Sequence, residues 1–413
     1  MSANVISVRV AALVLSCGLG LPLLAGSVTG TWTGAGANGL WTNPANWKDG
    51  VIPGRYQSGT DVIGDWNGEA VFTSVADGAQ TTVDLTGLKS IARLTVRGAD
   101  APKFTFGTVA SQVFPLEAMK TNDGNAIVVA ADAGQAPQFV AQVLFGWYPV
   151  LSGDDAKKSA DVTRTSLTVV RNDSADTLTF DKIGEAGWLE NPAGGSAPLR
   201  ELRWQGTGPI EIGGDWVAKN KYYTDAYTLY PENTTGLVFT GTTSLYGAIY
   251  ASVPGAKVTI ADGATLTLTK NNDSRSPREN AHPSANLTVD GAGTLKIRRC
   301  AVTDLQNGLL DLQCKVEVFA DAKTVAGDDW VLSGTGSIRL SNTANALSDI
   351  LYLKGTASTM ALQLPSFDVL GGVEKLVCGA CGAVSFVGTE ALTTDFPLEI
   401  GKIPGYESEQ NQY

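Results

Sequence analysis

A glycine-centred alternation in the second half of the chain most constrains what this sequence can fold into. Residues 330–340 read Trp-x-Leu-x-Gly-x-Gly-x-Ile-x-Leu, so one face is apolar or glycine and the other is polar apart from Val331. Such a period of two is typical of a β-strand with one buried face. Because glycine weakens a strand interior, the glycine pair indicates a sharp bend or the close approach of a neighbouring backbone.

Further copies of the alternation begin at Leu202, Leu287 and Leu376, and a looser copy begins at Leu237. With the copy at Trp330, they recur at comparable spacings through the second half of the chain. Repetition on this scale indicates a solenoid or an array of stacked β-units. Helix periodicity is hard to find after residue 30. We therefore predict an all-β chain, a parallel β-solenoid with an N-terminal β-rich capping module.

Residues 1–27 have the features of a secretory signal peptide. Arg9 gives the N-terminal region a positive charge, residues 10–24 form an apolar run, and the small residues 25–27 offer a cleavage site. A membrane anchor is the alternative, but the run is short for a span and contains Pro22 and glycines. The prediction is an exported chain, extracellular, on the cell surface or periplasmic, with no membrane span after cleavage.

The charge of the exported chain bears on its partners. Removing residues 1–27 takes away Arg9 alone, so the formal net charge moves from −11 to −12. An acidic chain repels the phosphates of nucleic acids, and we predict no nucleic-acid partner. Glycans and cell-surface or matrix components are the expected partners.

Four cysteines remain after cleavage, and an even number in an exported protein permits disulfides. Cys300 and Cys314 are near enough in sequence to form a candidate disulfide within one strand–turn–strand unit. Cys378 and Cys381 have the spacing of a redox motif but lie inside the β-repeat, where no helix lowers a thiol pKa. With the single histidine, they offer too few ligands for zinc. No metal site and no cofactor is predicted.

The sequence divides into five segments. Residues 1–27 are the signal peptide, 28–100 a Trp/Gly-rich N-terminal β module, 101–190 a poorly repetitive region, 191–400 the solenoid repeats and 401–413 a polar tail. The third segment is either an irregular part of the solenoid or a small β-sandwich insertion. Its residues leave both alternatives open.

The N-terminal module carries the densest pattern, with Trp32, Trp41, Trp47 and Trp66 among turn glycines and prolines. This stretch resembles the start of exported bacterial proteins with autotransporter-associated β-strand repeats, and it is similar to the eight-glycine (G8) domain. Residues 333–342 resemble the passenger repeats of the same proteins. The resemblance implies a surface-exposed β-solenoid. In such a stack, we expect the tryptophans to plug one end rather than to bind sugars.

Two groups of aromatic residues are candidate ligand-binding sites. One is the pair Trp147 and Tyr148. The other lies in the insertion 219–232, which also holds Tyr230, and its candidate residues are Tyr222, Tyr223, Asp225 and Tyr227. Aromatic faces pack against sugar rings while a carboxylate holds hydroxyls, and insertions between repeats often lie on the working face. The alternative is that these tyrosines cover exposed strand edges.

No residue is assigned a catalytic role. The only histidine, His282, lies in a polar loop, and no Gly-x-Ser-x-Gly elbow is present. The leading hypothesis is a non-enzymatic surface or secreted β-solenoid with a structural or adhesive role. One alternative is a β-helix polysaccharide lyase or glycosidase, in which Asp215 and Asp225 would converge with Lys219 or Arg203. Another is a carbohydrate-binding module.

Overall fold

The fold was determined as a computed structural model. It describes the following residues: 28–65, 68–116, 124–145, 167–183, 201–214, 216–218, 228–246, 249–269, 286–298, 302–305, 307–319, 330–347, 349–355, 360–379, 382–387 and 395–400. Regular structure in these residues is β-strand, joined by three short 3₁₀ helices at Pro44–Asn46, Lys48–Gly50 and Phe367–Leu370. Within the same residues, no helix has the length and apolar character needed to cross a membrane.

The strands are numbered in chain order. The first twelve are β1 (Thr29–Thr31), β2 (Arg55–Ser58), β3 (Asp61–Gly64), β4 (Glu69–Phe72), β5 (Thr82–Val83), β6 (Leu88–Ser90), β7 (Arg93–Val96), β8 (Thr105–Phe106), β9 (Val113–Leu116), β10 (Asn125–Val129), β11 (Gln138–Phe139) and β12 (Gln142–Phe145). The next eleven are β13 (Leu167–Asn172), β14 (Leu178–Phe180), β15 (Glu201–Gly206), β16 (Ile210–Ile212), β17 (Trp216–Ala218), β18 (Thr228–Pro231), β19 (Leu237–Phe239), β20 (Thr242–Tyr246), β21 (Ala256–Ile260), β22 (Thr265–Thr269) and β23 (Leu287–Asp290). The last eleven are β24 (Thr294–Arg298), β25 (Val302–Leu305), β26 (Leu309–Leu312), β27 (Lys315–Phe319), β28 (Trp330–Gly334), β29 (Ser337–Leu340), β30 (Ile350–Gly355), β31 (Met360–Leu364), β32 (Lys375–Cys378), β33 (Gly382–Phe386) and β34 (Leu398–Ile400).

These strands wind into a parallel β-solenoid, which confirms the predicted fold class. A twelve-stranded sheet runs β5-β8-β11-β14-β16-β19-β21-β23-β26-β29-β31-β33 along the stack. A seven-stranded sheet, β1-β4-β7-β10-β13-β15-β18, forms a second face, and shorter parallel sheets complete the coils. The coil from β15 to β17 shows the plan, because each of its strands belongs to a different sheet. The antiparallel exception is the small sheet β3-β2-β6 near the N-terminus.

The poorly repetitive segment 101–190 contributes to the same sheets. Its described strands β8, β11 and β14 lie in the twelve-stranded sheet, and β10 and β13 lie in the seven-stranded sheet. The coils differ in length, which hides their period in the sequence. Val238 pairs with Thr259 across a short coil, whereas Gln138 pairs with Thr179 across a coil nearly twice as long. Of the residues in this long coil, 146–166 lie outside the described part of the chain.

The recurring glycine pattern marks corners between sheets. Residues 330–340 form two strands, β28 and β29, in different sheets, and residues 202–212 form β15 and β16 in the same way. The first glycine of the pair takes positive φ, +108° at both Gly206 and Gly334. The second lies against the preceding coil, since a Cβ on Gly208 would meet the carbonyl oxygen of Ser174. The first glycine therefore allows the sharp bend, and the second allows the close approach of a neighbouring backbone.

Not all copies of the pattern occupy the same corner. The copies that begin at Leu202 and Trp330 lead into the twelve-stranded sheet, whereas the copies that begin at Leu237 and Leu287 lead out of it. Spacings between the copies therefore do not measure the length of a coil.

Aligned side chains fill the interior. On the inner face of the twelve-stranded sheet, Phe106, Phe139 and Phe180 lie in register on successive strands. Their ring centroids are 4.9 and 5.0 Å apart, and all three side chains are fully buried. Parallel in-register strands place like side chains about 4.8 Å apart, the spacing at which offset rings pack well.

The tryptophans of the N-terminal module close one end of the stack, as expected. Trp32, Trp41 and Trp47 are buried, and Trp47 lies 5.0 Å from Trp32 and 4.9 Å from Trp41 between ring centroids. The free edge of β5 is covered by the preceding chain, because the amide of Asp84 donates to the carbonyl of Gly39. Burial leaves these three rings no face for a sugar. Trp66 lies outside the described residues.

A substitution at a corner glycine tests this account. Gly291 has φ of +101°, and a Cβ there would meet the carbonyl oxygen of Ile260 on the preceding coil. We expect Gly291→Ala to lower the free energy of unfolding by at least about 2 kcal/mol, because the added methyl is strained in φ and crowded. Urea unfolding followed by circular dichroism measures the change.

Gly213→Ala is the matched control. Gly213 also follows a strand of the twelve-stranded sheet, but its φ is not positive and a Cβ there comes no closer than 3.4 Å to any atom. We expect this variant to be neutral or slightly stabilised. Equal losses in the two variants would contradict the corner interpretation.

Candidate functional site

The predicted aromatic site residues lie outside the described part of the chain. This holds for Trp147 and Tyr148 and for the candidates in the insertion, Tyr222, Tyr223, Asp225 and Tyr227. The insertion nevertheless has a defined exit, because β18 begins at Thr228 in the seven-stranded sheet. The last residues of the insertion, 228–232, are described, and with residues of the coils before and after them they form a cluster of aromatic and polar side chains on the outside of the solenoid.

Tyr230 is central to that cluster. It pairs in register with Arg203 on β15, and the Arg203 guanidinium lies 4.4 Å from the centre of the Tyr230 ring. On the next coil, the bridge between Leu229 and Ile249 places Tyr250 beside Tyr230, with ring centroids 6.0 Å apart. Three successive coils thus present a row of one cation and two aromatic rings. Such a cation–aromatic contact is itself favourable.

A second, polar row runs next to the first. Glu232 forms an ion pair with Arg203 and accepts hydrogen bonds from Ser252 and, at 2.7 Å, from the Gln205 side chain. The backbone amide of Glu232 donates to the carbonyl of Trp204 at 2.8 Å, which fixes the base of its side chain. Both carboxylate oxygens are therefore occupied by donors from the coils on either side. We call this set the tyrosine platform, and its members are Arg203, Gln205, Tyr230, Glu232, Tyr250 and Ser252.

Exposure differs sharply across the tyrosine platform. Only 8% of the Glu232 side chain is exposed, whereas Tyr250 is exposed over 47% of its surface. The carboxylate is thus an internal anchor for its neighbours, and Tyr250 offers an aromatic face to solvent. Strand alternation turns Arg203 and Tyr230 outward, because Leu202, Trp204 and Leu229 point into the core from the same two strands.

Ion pairs on the other faces are more exposed. Lys257 and Asp290 lie 2.8 Å apart on the twelve-stranded sheet, with side-chain exposures of 43% and 22%, and Lys375 and Glu399 lie 2.8 Å apart near the other end of the stack. Exposed pairs of this kind contribute little to stability. The pair in the tyrosine platform differs, since its carboxylate is nearly buried and has two further donors.

The described cysteines are buried in the core. Cys314 is fully buried, and desolvation raises the pKa of its thiol to about 12. Burial also raises the pKa of the Cys378 thiol above its ordinary value. Thiolates are the reactive form, so neither sulfur is prepared for redox chemistry. Cys300 and Cys381 lie outside the described residues, and the disulfide between Cys300 and Cys314 stays a prediction.

Sequence reasoning identified part of the tyrosine platform. Tyr230 belongs to the tyrosine-rich insertion, and the sequence indicates Arg203 only as a partner for catalytic carboxylates. Tyr250, Ser252 and Gln205 were missed. A usable signal was present, because the separation of Tyr230 from Tyr250 nearly equals the length of a short coil.

Comparison with known proteins does not assign this chain to a family. Neither the known protein families, nor the curated proteins, nor the solved structures contain a match to this chain. The class that the fold itself defines is a parallel β-solenoid with a capped N-terminal end and a tyrosine-bearing outer face.

Removing the carboxylate of the tyrosine platform tests its role as an anchor. We expect Glu232→Ala to lower the free energy of unfolding by about 1–3 kcal/mol, because Arg203, Gln205 and Ser252 lose a shared, nearly buried acceptor. Glu399→Ala, which breaks the exposed pair with Lys375, is the control and should leave the urea midpoint unchanged. Equal effects would show that Glu232 is an ordinary surface charge.

The buried thiol predicts a pH dependence in the reduced chain. The pKa of Cys314 is raised from 9.0 to about 12, so its stabilising contribution is complete below pH 9 and is lost as the pH rises toward 12. We expect the free energy of unfolding to fall more steeply over this range in the natural chain than in Cys314→Val, by up to about 1.4 kcal/mol per pH unit. Urea titrations between pH 8 and 11 measure both slopes, and parallel slopes would contradict the prediction.

Proposed function

We propose that this chain is an exported bacterial β-solenoid that serves as a structural or adhesive component of the cell surface or its surroundings. The single observation that carries the proposal is the unbroken twelve-stranded parallel sheet, which includes strands from Thr82 to Phe386. A stack in which every coil is bonded to its neighbours provides a long, stiff surface that a scaffold needs. Catalysis has no part in the proposal.

The start of the solenoid supports export. Its first strand begins at Thr29, directly after the segment proposed as a signal peptide. The backbone nitrogen of Val28 donates to the carboxylate of Asp65 at 3.3 Å. Cleavage after Ser27 would create an ammonium group at this position, and the nearby carboxylate favours that positive charge. Removal of residues 1–27 thus leaves a chain end that suits the folded module.

The division between core and surface supports a scaffold role. Aligned apolar residues hold the interior, so the outward residues are available for contacts with other molecules without affecting the stack. The tyrosine platform is one such set of outward residues. The rival enzymatic hypothesis rests on Asp215, Lys219 and Asp225, which lie outside the described residues, and on Arg203, whose guanidinium is paired with Glu232.

Export and surface retention give a direct test. We expect the full chain, expressed in a Gram-negative host, to be recovered outside the cytoplasm with Val28 at its N-terminus. A variant with two arginines in the apolar run, Leu13→Arg and Leu15→Arg, should remain cytoplasmic and uncleaved, because charges prevent recognition of a signal segment. Cell fractionation and N-terminal sequencing provide the measurement.

The adhesive part of the proposal has its own test. Purified chain should be retained on intact cells or on isolated extracellular matrix, measured by co-sedimentation against a heat-unfolded sample. Recovery of the natural chain in the cytoplasm, or a folded chain that neither binds such surfaces nor self-assembles, would overturn the proposed function.

A further inference from the structure

We infer that the tyrosine platform is a binding site for neutral glycans built from hexopyranose units. This inference rests on the proposed function and adds to it a ligand class and the residues that bind it. The platform uses Tyr230 and Tyr250 as its aromatic surface, and Gln205, Ser252 and Arg203 as its hydrogen-bonding groups.

The aromatic row supplies the apolar contact. One face of a pyranose ring is lined with C–H groups, and such faces pack against tyrosine rings. Tyr250 is 47% exposed and is flanked on the preceding coil by Tyr230, whose ring centroid is 6.0 Å away. Tyr230 is in turn in contact with Arg203 at 4.4 Å. An exposed ring supported in this way loses little conformational entropy when a ligand covers it.

The polar row supplies hydrogen bonds at a suitable distance. Tyr250 and Ser252 are two residues apart, so their Cα atoms are at most about 7 Å from each other, and neighbouring coils are about 4.8 Å apart. A sugar ring that covers Tyr250 would therefore bring its hydroxyl groups near Ser252, which is exposed on the same coil. The hydrogen bonds of Glu232 hold the Ser252 hydroxyl and the Gln205 amide in fixed positions. Fixed polar groups beside an exposed ring are the elements of a sugar-binding site.

Charge selects neutral over acidic glycans. The chain has a formal net charge of −11. The cation of the platform, Arg203, is already paired with Glu232. A uronate or sulfate on a glycan would approach that carboxylate, and the one cation among the described platform residues is already neutralised, which makes the approach unfavourable. Hydroxyl groups meet no such repulsion.

The test is a titration of the full chain with three neutral hexasaccharides, cellohexaose, mannohexaose and chitohexaose, and with a hexagalacturonate as the acidic comparison. We expect at least one neutral hexasaccharide to bind, and to bind more tightly than hexagalacturonate. Tyr250→Ala should weaken that binding at least about tenfold, because an exposed aromatic anchor is removed. Tyr250→Phe should retain it, since the ring face remains.

Tyr56→Ala is the matched control, because Tyr56 is a partly exposed tyrosine on β2 of the N-terminal antiparallel sheet. It should bind like the natural chain. A second measurement does not depend on folding of the variants. Tetranitromethane nitrates exposed tyrosines, and a bound hexasaccharide should protect Tyr250 but not Tyr56, as read by peptide mass spectrometry.

Three results would overturn the inference. They are no binding of any neutral hexasaccharide, unchanged binding by a folded Tyr250→Ala variant together with unprotected Tyr250, and tighter binding of hexagalacturonate. These failures are separate from failure of the proposed function. A chain that is exported and retained on surfaces but binds no sugar refutes only the glycan site, whereas an unprocessed cytoplasmic chain refutes the proposed function whatever the titration gives.

Discussion

Hydrogen bonding between the backbones of successive coils is the constraint on which this structure depends. Each interior strand of the twelve-stranded and seven-stranded sheets is bonded to the coil before and the coil after it, in parallel register. Register places like side chains above one another, as with Phe106, Phe139 and Phe180. The same closeness leaves no room for a side chain at the corners, which is why Gly208 lies against Ser174. The rows of aligned side chains and the glycines at the corners thus both result from the need to hydrogen-bond the backbones of successive coils.

This requirement places few constraints on which residue types occupy the outward positions. Inward residues are determined by packing, but outward residues need only be compatible with solvent and with their neighbours on adjacent coils. The tyrosine platform lies in that outward set, on or next to strands whose inward residues include Trp204 and Leu229. Its internal anchor, Glu232, is bonded to the coils on both sides, so the stack itself sets the distances between the platform groups. A rigid scaffold and a binding surface are therefore compatible on the same strands.

The sequence was sufficient to predict the fold class, but not where each coil begins and ends. Alternation around Trp330 indicates a buried strand face, and repetition indicates stacking, so the solenoid follows from local rules. The boundary between β28 and β29 does not, because a corner and a continuous strand share the same alternation. Coils of unequal length conceal the period, which left the segment 101–190 undecided. For the same reason, Tyr250 could not be associated with Tyr230, since their proximity depends on knowing where one coil ends.

The direction of the hydrogen bonds has a mechanical consequence. Bonds between coils point along the long axis of the stack, so tension applied along that axis loads every boundary between coils with the same force, and the boundaries can open one after another. Tension across a face is instead borne by the covalent chain within each strand. The protein should yield along its axis by peeling one coil after another, in small steps of force, and resist loads applied across its faces. Long coils and short coils would then release different lengths of chain at each step, in proportion to their residues.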